Sequence, residues 1–385
     1  MMIQYLFDYT TLRLIWWVLL GVLLIGFAVT DGFDMGVGAL LPFVARNDVE
    51  RRVAINTIGP VWEGNQVWFI LGGGAIFAAW PALYALSFSG FYLAMFLVLF
   101  ALILRPVGFK YRSKRESPVW RSNWDWALFV GGAVPALIFG VAVGNALQGV
   151  PFHFTDDLRP IYEGTLFGLL NPLALYCGLV SLAMLVTHGA AWLSFKAEGP
   201  VADRAAAFGE RTALITAALF AGGGVLVWLG AYGGYQVTSP IVWDGPSNPL
   251  GKTVVLNSAA WLQNFRGTPW LAIVPLLGIV APLVAAAGFG ARRAGLTLLA
   301  SKLGIACIIA TAGLSMFPII LPSSSNPNDS LAVFDASSSH ATLRNMLIAT
   351  VVFLPIVLAY TAWVYKVLWG KVSSSTIVKA GSSAY

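Results

Sequence analysis

Residues 64–104 read GNQVWFILGGGAIFAAWPALYALSFSGFYLAMFLVLFALIL, 41 positions without one Asp, Glu, Lys or Arg. As a single helix this stretch would be about 61 Å long, twice the hydrocarbon thickness of a bilayer, so it must double back. Trp80-Pro81 near its centre is the expected turn, because proline disfavours helix in the residue before it and removes a backbone donor. The same test applied outward along the chain predicts nine spans, roughly 12–44, 57–79, 83–104, 126–147, 164–190, 212–232, 269–291, 296–321 and 343–368. Composition agrees. Of 385 residues, 58% are hydrophobic and 10% charged, against roughly 25% charged in a soluble protein. With a mean hydropathy of +0.77, too few charges remain to coat a water-facing surface. The expected class is an all-α, polytopic integral membrane protein forming a single membrane domain over 1–385.

The net charge of +6 does not point to nucleic acid, because the basic residues sit in short loops between apolar runs. Placing the N-terminus outside puts seventeen Lys and Arg in inner loops and the tail. Five remain outside (Arg13, Arg159, Lys252, Arg266, Arg344), with Lys302 at membrane depth. Positively charged loops resist translocation, so this split supports nine spans, an outer N-terminus and a cytoplasmic C-terminus. The first helix is read as retained rather than as a cleaved signal peptide, since Asp8 precedes it and no A-x-A-like site ends it. The outer segment 233–268 carries Pro240, Gly245, Pro246, Asn248, Pro249 and Gly251 and reads as turns. The stretches 322–327 and 337–339 and the serine-rich tail after Lys371 read as solvated loops. Trp16, Trp17, Trp80, Trp261 and Trp369, near span ends, read as interface anchors.

Ionisable residues inside spans are the informative exceptions, since a central carboxylate costs at least about 2.5–3.5 kcal/mol. Asp31 and Asp34 lie three apart and share a helical face; Glu63 follows in the next span, about 10 Å of helix from its start. Asn65 and Gln66 can hydrogen-bond a carboxyl group there, and Trp62 and Trp68 can shield it from lipid. Such a file of acids is the minimal machinery of a proton path. The alternative is helix capping or pairing with Arg46, Arg51 or Arg105. Histidine is scarce. His153 and His340 fall in outer loops, and His188, near the inner end of the fifth span, reads as a hydrogen-bonded interface residue, so the chain lacks the axial ligands a haem needs. Cys177 and Cys307 have no metal-binding spacing, and no metal ligand is identified. Glycine clusters at 36–38, 72–74, 131–132 and 222–224 read as helix contacts, not phosphate loops.

Six ordered segments resemble subunit II of the cytochrome bd quinol oxidases: IGFAVTDGFDMG at 25–36, WEGNQVW at 62–68, FSGFY at 88–92, RPVGF at 105–109, GNALQGVPF at 144–152 and TAGLSMFP at 311–318. The likeness runs from about Leu12 to Trp369. It implies a proton-translocating quinol:oxygen oxidoreductase of the bacterial inner membrane, in which quinol is oxidised and dioxygen reduced to water. The haems b and haem d belong to subunit I, and this chain alone is not catalytic. The resemblance also implies two four-helix bundles, spans one to four over 12–147 and six to nine over 212–368, with the fifth span over 164–190 peripheral. It assigns Asp31, Asp34 and Glu63 to proton uptake and Trp68 to an apolar oxygen route; Arg105, Asn65 and Gln66 remain, from their own chemistry, the candidate pairing residues. Family members often have aspartate where Glu63 stands, and some have an acid where Lys110 stands. Some also hold a structural quinone in this subunit or bind a small accessory subunit. The competing class is a proton-coupled secondary transporter, for which broken helices and an inverted repeat would speak.

Overall fold

The computed structural model describes residues 7–380. Its helices are α1 Tyr9–Val44, α2 Asp48–Ile58, α3 Trp62–Asn65, α4 Val67–Ala79, α5 Pro81–Gly90, α6 Tyr92–Tyr111 and α7 Pro118–Gln148. They continue with α8 Pro172–Lys196, α9 Pro200–Trp228, α10 Ala260–Gly267, α11 Ile273–Gly290, α12 Ala294–Met316, α13 His340–Val367 and α14 Ser374–Ala380. Local chemistry sets the starts. Asp8, Asn47 and Asn171 each accept a hydrogen bond from the backbone N–H three residues on, and proline opens α5, α7, α8 and α9, where its missing donor is harmless.

Eight helices among the described residues are long and apolar enough to cross a membrane. The expected second span, 57–79, is instead divided between the end of α2, the single turn α3 and α4, with breaks at Gly59–Val61 and at Gln66. Pro60 supplies no donor at the first break, and Gly64 weakens helix before the second. The turn at Trp80-Pro81 stands as expected, with Trp80 at φ −136° and ψ 77°. A further break at Phe91 separates α5 from α6. The fifth span begins at Pro172, eight residues after the expected 164, and the eighth ends at Met316 because 319–321 forms a strand.

α1 packs against α4, α7, α8 and α12, while α6 lies on α7. α8 packs on α7, α9 and α12, and α11 joins α9 to α12. The fifth span, expected at the periphery, is therefore central, and more of its apolar window is buried than in any other span. The physical reason is small residues. A methyl group on Gly36 would strike the carbonyl of Leu185 in α8, and one on Gly189 would strike the backbone of Gly36, so these helices meet backbone to backbone. By contrast, Gly72, Gly73 and Gly74 of α4 have open space beside them and close no such contact. α13 has none of its apolar window buried and is the outlying helix.

Buried side chains form three layers. Phe27, Met35, Ala136, Met184 and Ile305 fill the middle. Val44, Ile55, Trp62, Phe109, Trp192 and Phe289 fill the arginine-rich end. Trp16, Trp80, Phe152, Leu321, Leu331 and Leu343 fill the opposite, loop end. Trp16, Trp80 and Trp261 are thus buried rather than anchored at an interface, whereas Trp369 is exposed. The loop end is more ordered than its sequence suggested. Segment 233–268 contains an antiparallel hairpin, β3 Gly234–Val237 with β4 Val254–Asn257, and then α10. It is tied down by buried Arg13, which donates to the carbonyls of Trp243 and Gly245 and to Ser337. Lys252 pairs with Asp335 at 2.6 Å. Two further hairpins, β1 Phe152–Phe154 with β2 Pro160–Tyr162 and β5 Ile319–Leu321 with β6 Leu331–Ala332, complete this end. Ser323 and Ser337, expected in solvated loops, are buried, their hydroxyls bonding the Phe152 carbonyl and Arg13, and Ser330 beside them is buried too, donating to the Pro327 carbonyl. The serine-rich tail likewise forms α14, whose Ile377 packs into the arginine-rich layer beside α2.

Candidate functional site

Asp31 and Asp34 occupy one face of α1, and both are 1% exposed. Facing them from α6 is Arg105, 2% exposed, whose two terminal nitrogens donate to the two oxygens of Asp31 at 3.0 and 2.7 Å. This planar two-point match is the geometry a guanidinium favours with a carboxylate. Arg105 also stands 3.9 Å from Asp34 and 5.9 Å from the ring centroid of Trp62. Asn65, at the end of α3, donates from Nδ2 to Asp34 Oδ2 at 2.8 Å. Its own Oδ1 accepts from the hydroxyl of Tyr365 in α13 at 2.7 Å. One chain of polar contacts therefore runs Asp31–Arg105–Asp34–Asn65–Tyr365 through α1, α6, α3 and α13.

Asn65, the last residue of α3, is buried, and past Gln66 the chain resumes as the apolar α4. Asn65 thus serves Asp34 rather than Glu63. Glu63 is exposed and stands outside the network, and Gln66 is half-buried at the break and outside it as well. Of the three acids expected to line one path, the structure brings two together. Among the basic candidates, Arg105 is the partner. Arg51 is instead engaged by Asp125, which also binds Arg112 at 2.5 Å, and Asp48 links Arg112 and Arg121 at 3.0 and 2.8 Å. Glu50 accepts from Arg204 and from the Arg46 amide. Burial pushes Glu50 upward, but these bonds outweigh it and hold its carboxyl below the ordinary range.

Electrostatics separates the two aspartates. Two carboxylates and one guanidinium leave a formal −1, and the bidentate bond assigns Arg105 to Asp31. Asp34 Oδ1 is buried without a hydrogen-bond partner. It borders a cavity of about 10 Å³, lined also by Val37, Leu41, Ile55, Phe109 and Leu128. That volume is about what admits a single water. Asp31 is therefore committed to the ion pair, while Asp34 keeps one oxygen that no group in the fold engages. Tyr365 is the member that sequence reading missed, since a tyrosine near the end of the last apolar run carries no motif and its partner lies 300 positions earlier.

Trp68 is half-buried, its ring edge pressed on Gly26, where a Cβ would come within 2.7 Å. It borders the aromatic group of Phe27, Phe69 and Phe139, whose rings are 5.2–5.5 Å apart. The histidines are engaged elsewhere. His188, expected as a hydrogen-bonded interface residue, is fully buried, with Nδ1 bonded to Ser301 Oγ at 2.8 Å and Nε2 donating to the Val29 carbonyl at 2.9 Å, so it ties α8 to α12 and α1. His153 pairs with Glu163 at 3.0 Å, and His340 bonds the Phe7 carbonyl. Of the three, His188 alone is buried among the helices, and both of its ring nitrogens are already engaged.

Residues 12–368 match the family model described as cytochrome bd terminal oxidase subunit II. The chain is 54% identical over 378 residues to a probable cytochrome oxidase subunit 2 of Haemophilus influenzae, covering 98% of this chain and 100% of that one. It is 51% identical, with the same coverage, to cytochrome bd-I ubiquinol oxidase subunit 2 of Escherichia coli strain K12. A cytochrome bd ubiquinol oxidase subunit 2 of Bacillus subtilis is 30% identical, over 93% of this chain and 96% of that one. The solved bd oxidase of Geobacillus thermodenitrificans matches in fold with a TM-score of 0.69 at 16% identity, over 93% of this chain and 98% of that chain.

Proposed function

The chain belongs to the cytochrome bd terminal oxidase subunit II family, and on that premise we propose that it supplies the proton-handling side of a quinol oxidase whose redox centres lie on a haem-bearing partner. It is a multi-pass membrane protein and a subunit of an oxidoreductase complex that oxidises quinol and reduces dioxygen. The observation that carries the reading is the buried network in which Arg105 neutralises Asp31 and leaves Asp34 with an uncommitted oxygen. Asp34 is the exchanging group, Arg105 and Asn65 position it, and Glu63 stands on the surface of the same segment as an acceptor for protons from water. Trp68 and the aromatic group beside it form an apolar path suited to dioxygen. The haems b and haem d, and the chemistry they supply, belong to the partner. A structural quinone and a small accessory subunit are further expectations from the family.

In the bilayer, the arginine-rich end faces the cytoplasm, following the distribution of Lys and Arg. The broken stretch α3–α4 counts as the ninth crossing. One group comprises α1, α3–α4, α5–α6 and α7, and the other α9, α11 and α12, with α8 packed on both between them and α13 peripheral; the contacts of these helices support that grouping. Breaks at Gln66 and Phe91 would also suit a transporter, but kinship across 98% of the chain settles the choice for the oxidase.

The test is Asp34→Asn in the assembled complex. Asparagine keeps the size and the bond from Asn65 but does not carry a proton, so quinol-driven oxygen consumption should fall at least tenfold with haem content unchanged. Wild-type turnover with full haem would refute the role of Asp34.

A further inference from the structure

The last spanning helix, α13, has none of its apolar window buried, yet it reaches the acid network through one side chain. Tyr365 is half-buried, and its hydroxyl donates to Asn65 Oδ1 at 2.7 Å. Two features hold it there. Its ring meets that of Trp192 edge to face, with centroids 6.2 Å apart, and Trp192 is itself stacked at 3.9 Å on Phe33, the neighbour of Asp34 in α1. Just beyond Tyr365 in the chain, the carbonyls of Leu368 and Gly370 accept from Lys196 of α8 at 2.7 and 2.6 Å. A helix that is otherwise loosely attached is thus fixed where it meets Asn65.

The direction of the bonds matters. Tyr365 donates to the carbonyl end of the Asn65 amide, and the amide nitrogen donates to Asp34 Oδ2 at 2.8 Å. Hydroxyl, amide and carboxyl therefore point one way, each donor turned toward Asp34. Hydrogen bonds in series polarise one another, and a bond whose acceptor is charged is stronger than one between neutral groups. A series aimed in this direction favours Asp34 without its proton over Asp34 with it. Asn65 is 2% exposed, so bulk water does not stand in for the hydroxyl. Among the described residues no other group donates to Asn65 Oδ1.

We propose that Tyr365 is a positioning residue for proton transfer: through the Asn65 amide it stabilises Asp34 once the proton has left, and so sets how readily that proton is passed on. This role rests on the reading of Asp34 as the exchanging group and extends it to a residue that bonds neither the acid nor Arg105. It also gives the outlying helix a part in the chemistry.

The experiment uses the intact oxidase complex, with turnover expressed per haem. Tyr365→Phe keeps the ring against Trp192 and removes only the hydroxyl. Its kcat should fall about threefold to tenfold, the range set by one hydrogen bond in such a series, with the KM for quinol and the haem spectrum unchanged. A purely structural loss acts alike in every background, whereas this one does not. In Asp34→Asn, where that position carries no proton, adding Tyr365→Phe should slow turnover no further. If Tyr365→Phe lowers the haem content, para-fluorophenylalanine introduced in place of Tyr365, which fills the space of the hydroxyl without donating, is measured instead. Wild-type kcat in the variant that assembles, or an equal further loss in the Asp34→Asn background, would overturn the proposal. Wild-type turnover of Asp34→Asn would refute the role of Asp34 itself, so the two failures are told apart.

Discussion

Replacing Asp31 by asparagine should destabilise the complex, whereas the same change at Asp34 should not. Arg105 is 2% exposed and receives its two close carboxylate contacts, at 2.7 and 3.0 Å, from Asp31 alone. Asparagine retains one acceptor oxygen but turns an NH2 group toward a cation. Removing one member of a buried ion pair costs about 3–5 kcal/mol, and one bond to a charged group about 1.5–3 kcal/mol. The retained acceptor, and Asp34 waiting at 3.9 Å, place the loss at the low end, about 3 kcal/mol. At about 2 °C per kcal/mol for a large chain, the melting temperature of Asp31→Asn should fall by roughly 6 °C. Asp34→Asn gives up no close ion pair and keeps its bond from Asn65, so its change should stay within about 2 °C. Thermal unfolding of the purified complexes, followed by tryptophan fluorescence and by haem release, measures both. A melting point for Asp31→Asn within 1 °C of wild type, or a larger drop for Asp34→Asn, would refute the division of roles between the aspartates.

Four further outcomes are expected. Glu63→Gln should slow oxygen consumption several-fold less than Asp34→Asn, because Glu63 is exposed and replaceable by water; turnover assays on the two variants decide. Gly36→Ala should abolish assembly of the complex, since its methyl group meets the Leu185 backbone, and haem recovered with a tagged chain reports this. Trp68→Ala should alter the kinetics of oxygen or carbon monoxide binding without changing the KM for quinol, as flash photolysis beside steady-state assays would show. Lys252→Met strands Asp335 in a site where burial already raises its carboxyl. An acid whose folded value lies above its unfolded one favours the fold at low pH and loses that contribution as pH rises through the folded value. The melting deficit of Lys252→Met against wild type should therefore grow between pH 5 and pH 8.

What the sequence made legible follows from periodicity and local chemistry. The uncharged run 64–104 announced a double crossing, Trp80-Pro81 its turn, and the spacing of Asp31 and Asp34 their common face. Arg105 was in view as one of three cationic partners, but the choice among them was tertiary: Arg51 is held by Asp125, a residue with no motif around it. Asn65 was named for the wrong acid: two positions apart in the turn α3, Glu63 and Asn65 face different ways, the first outward and the second into the core. The central place of α8 was written in Gly36 and Gly189, yet glycine alone does not name its partner, and Gly72–Gly74 look the same in sequence while leaving open space where a Cβ would stand. Burial of Trp16 and Trp80 was hidden by the loop-end hairpins, whose serine- and proline-rich sequence resembles solvent-exposed linker.

The bond between Tyr365 and Asn65 spans 300 positions, and Arg13 likewise ties the first helix to carbonyls more than 200 positions later. A nascent chain emerging from the ribosome thus inserts Asp31, Asp34 and Arg105 long before the groups that complete their surroundings exist. The acid network is complete only after the last spanning helix arrives, and the loop-end seal only once Asp335 and Ser337, just ahead of that helix, have been made. Until that helix arrives, the oxygen of the Asn65 side chain lacks the hydroxyl that meets it in the finished fold. The final helix, the least buried of the spans, thereby supplies the last hydrogen bond of the acid network.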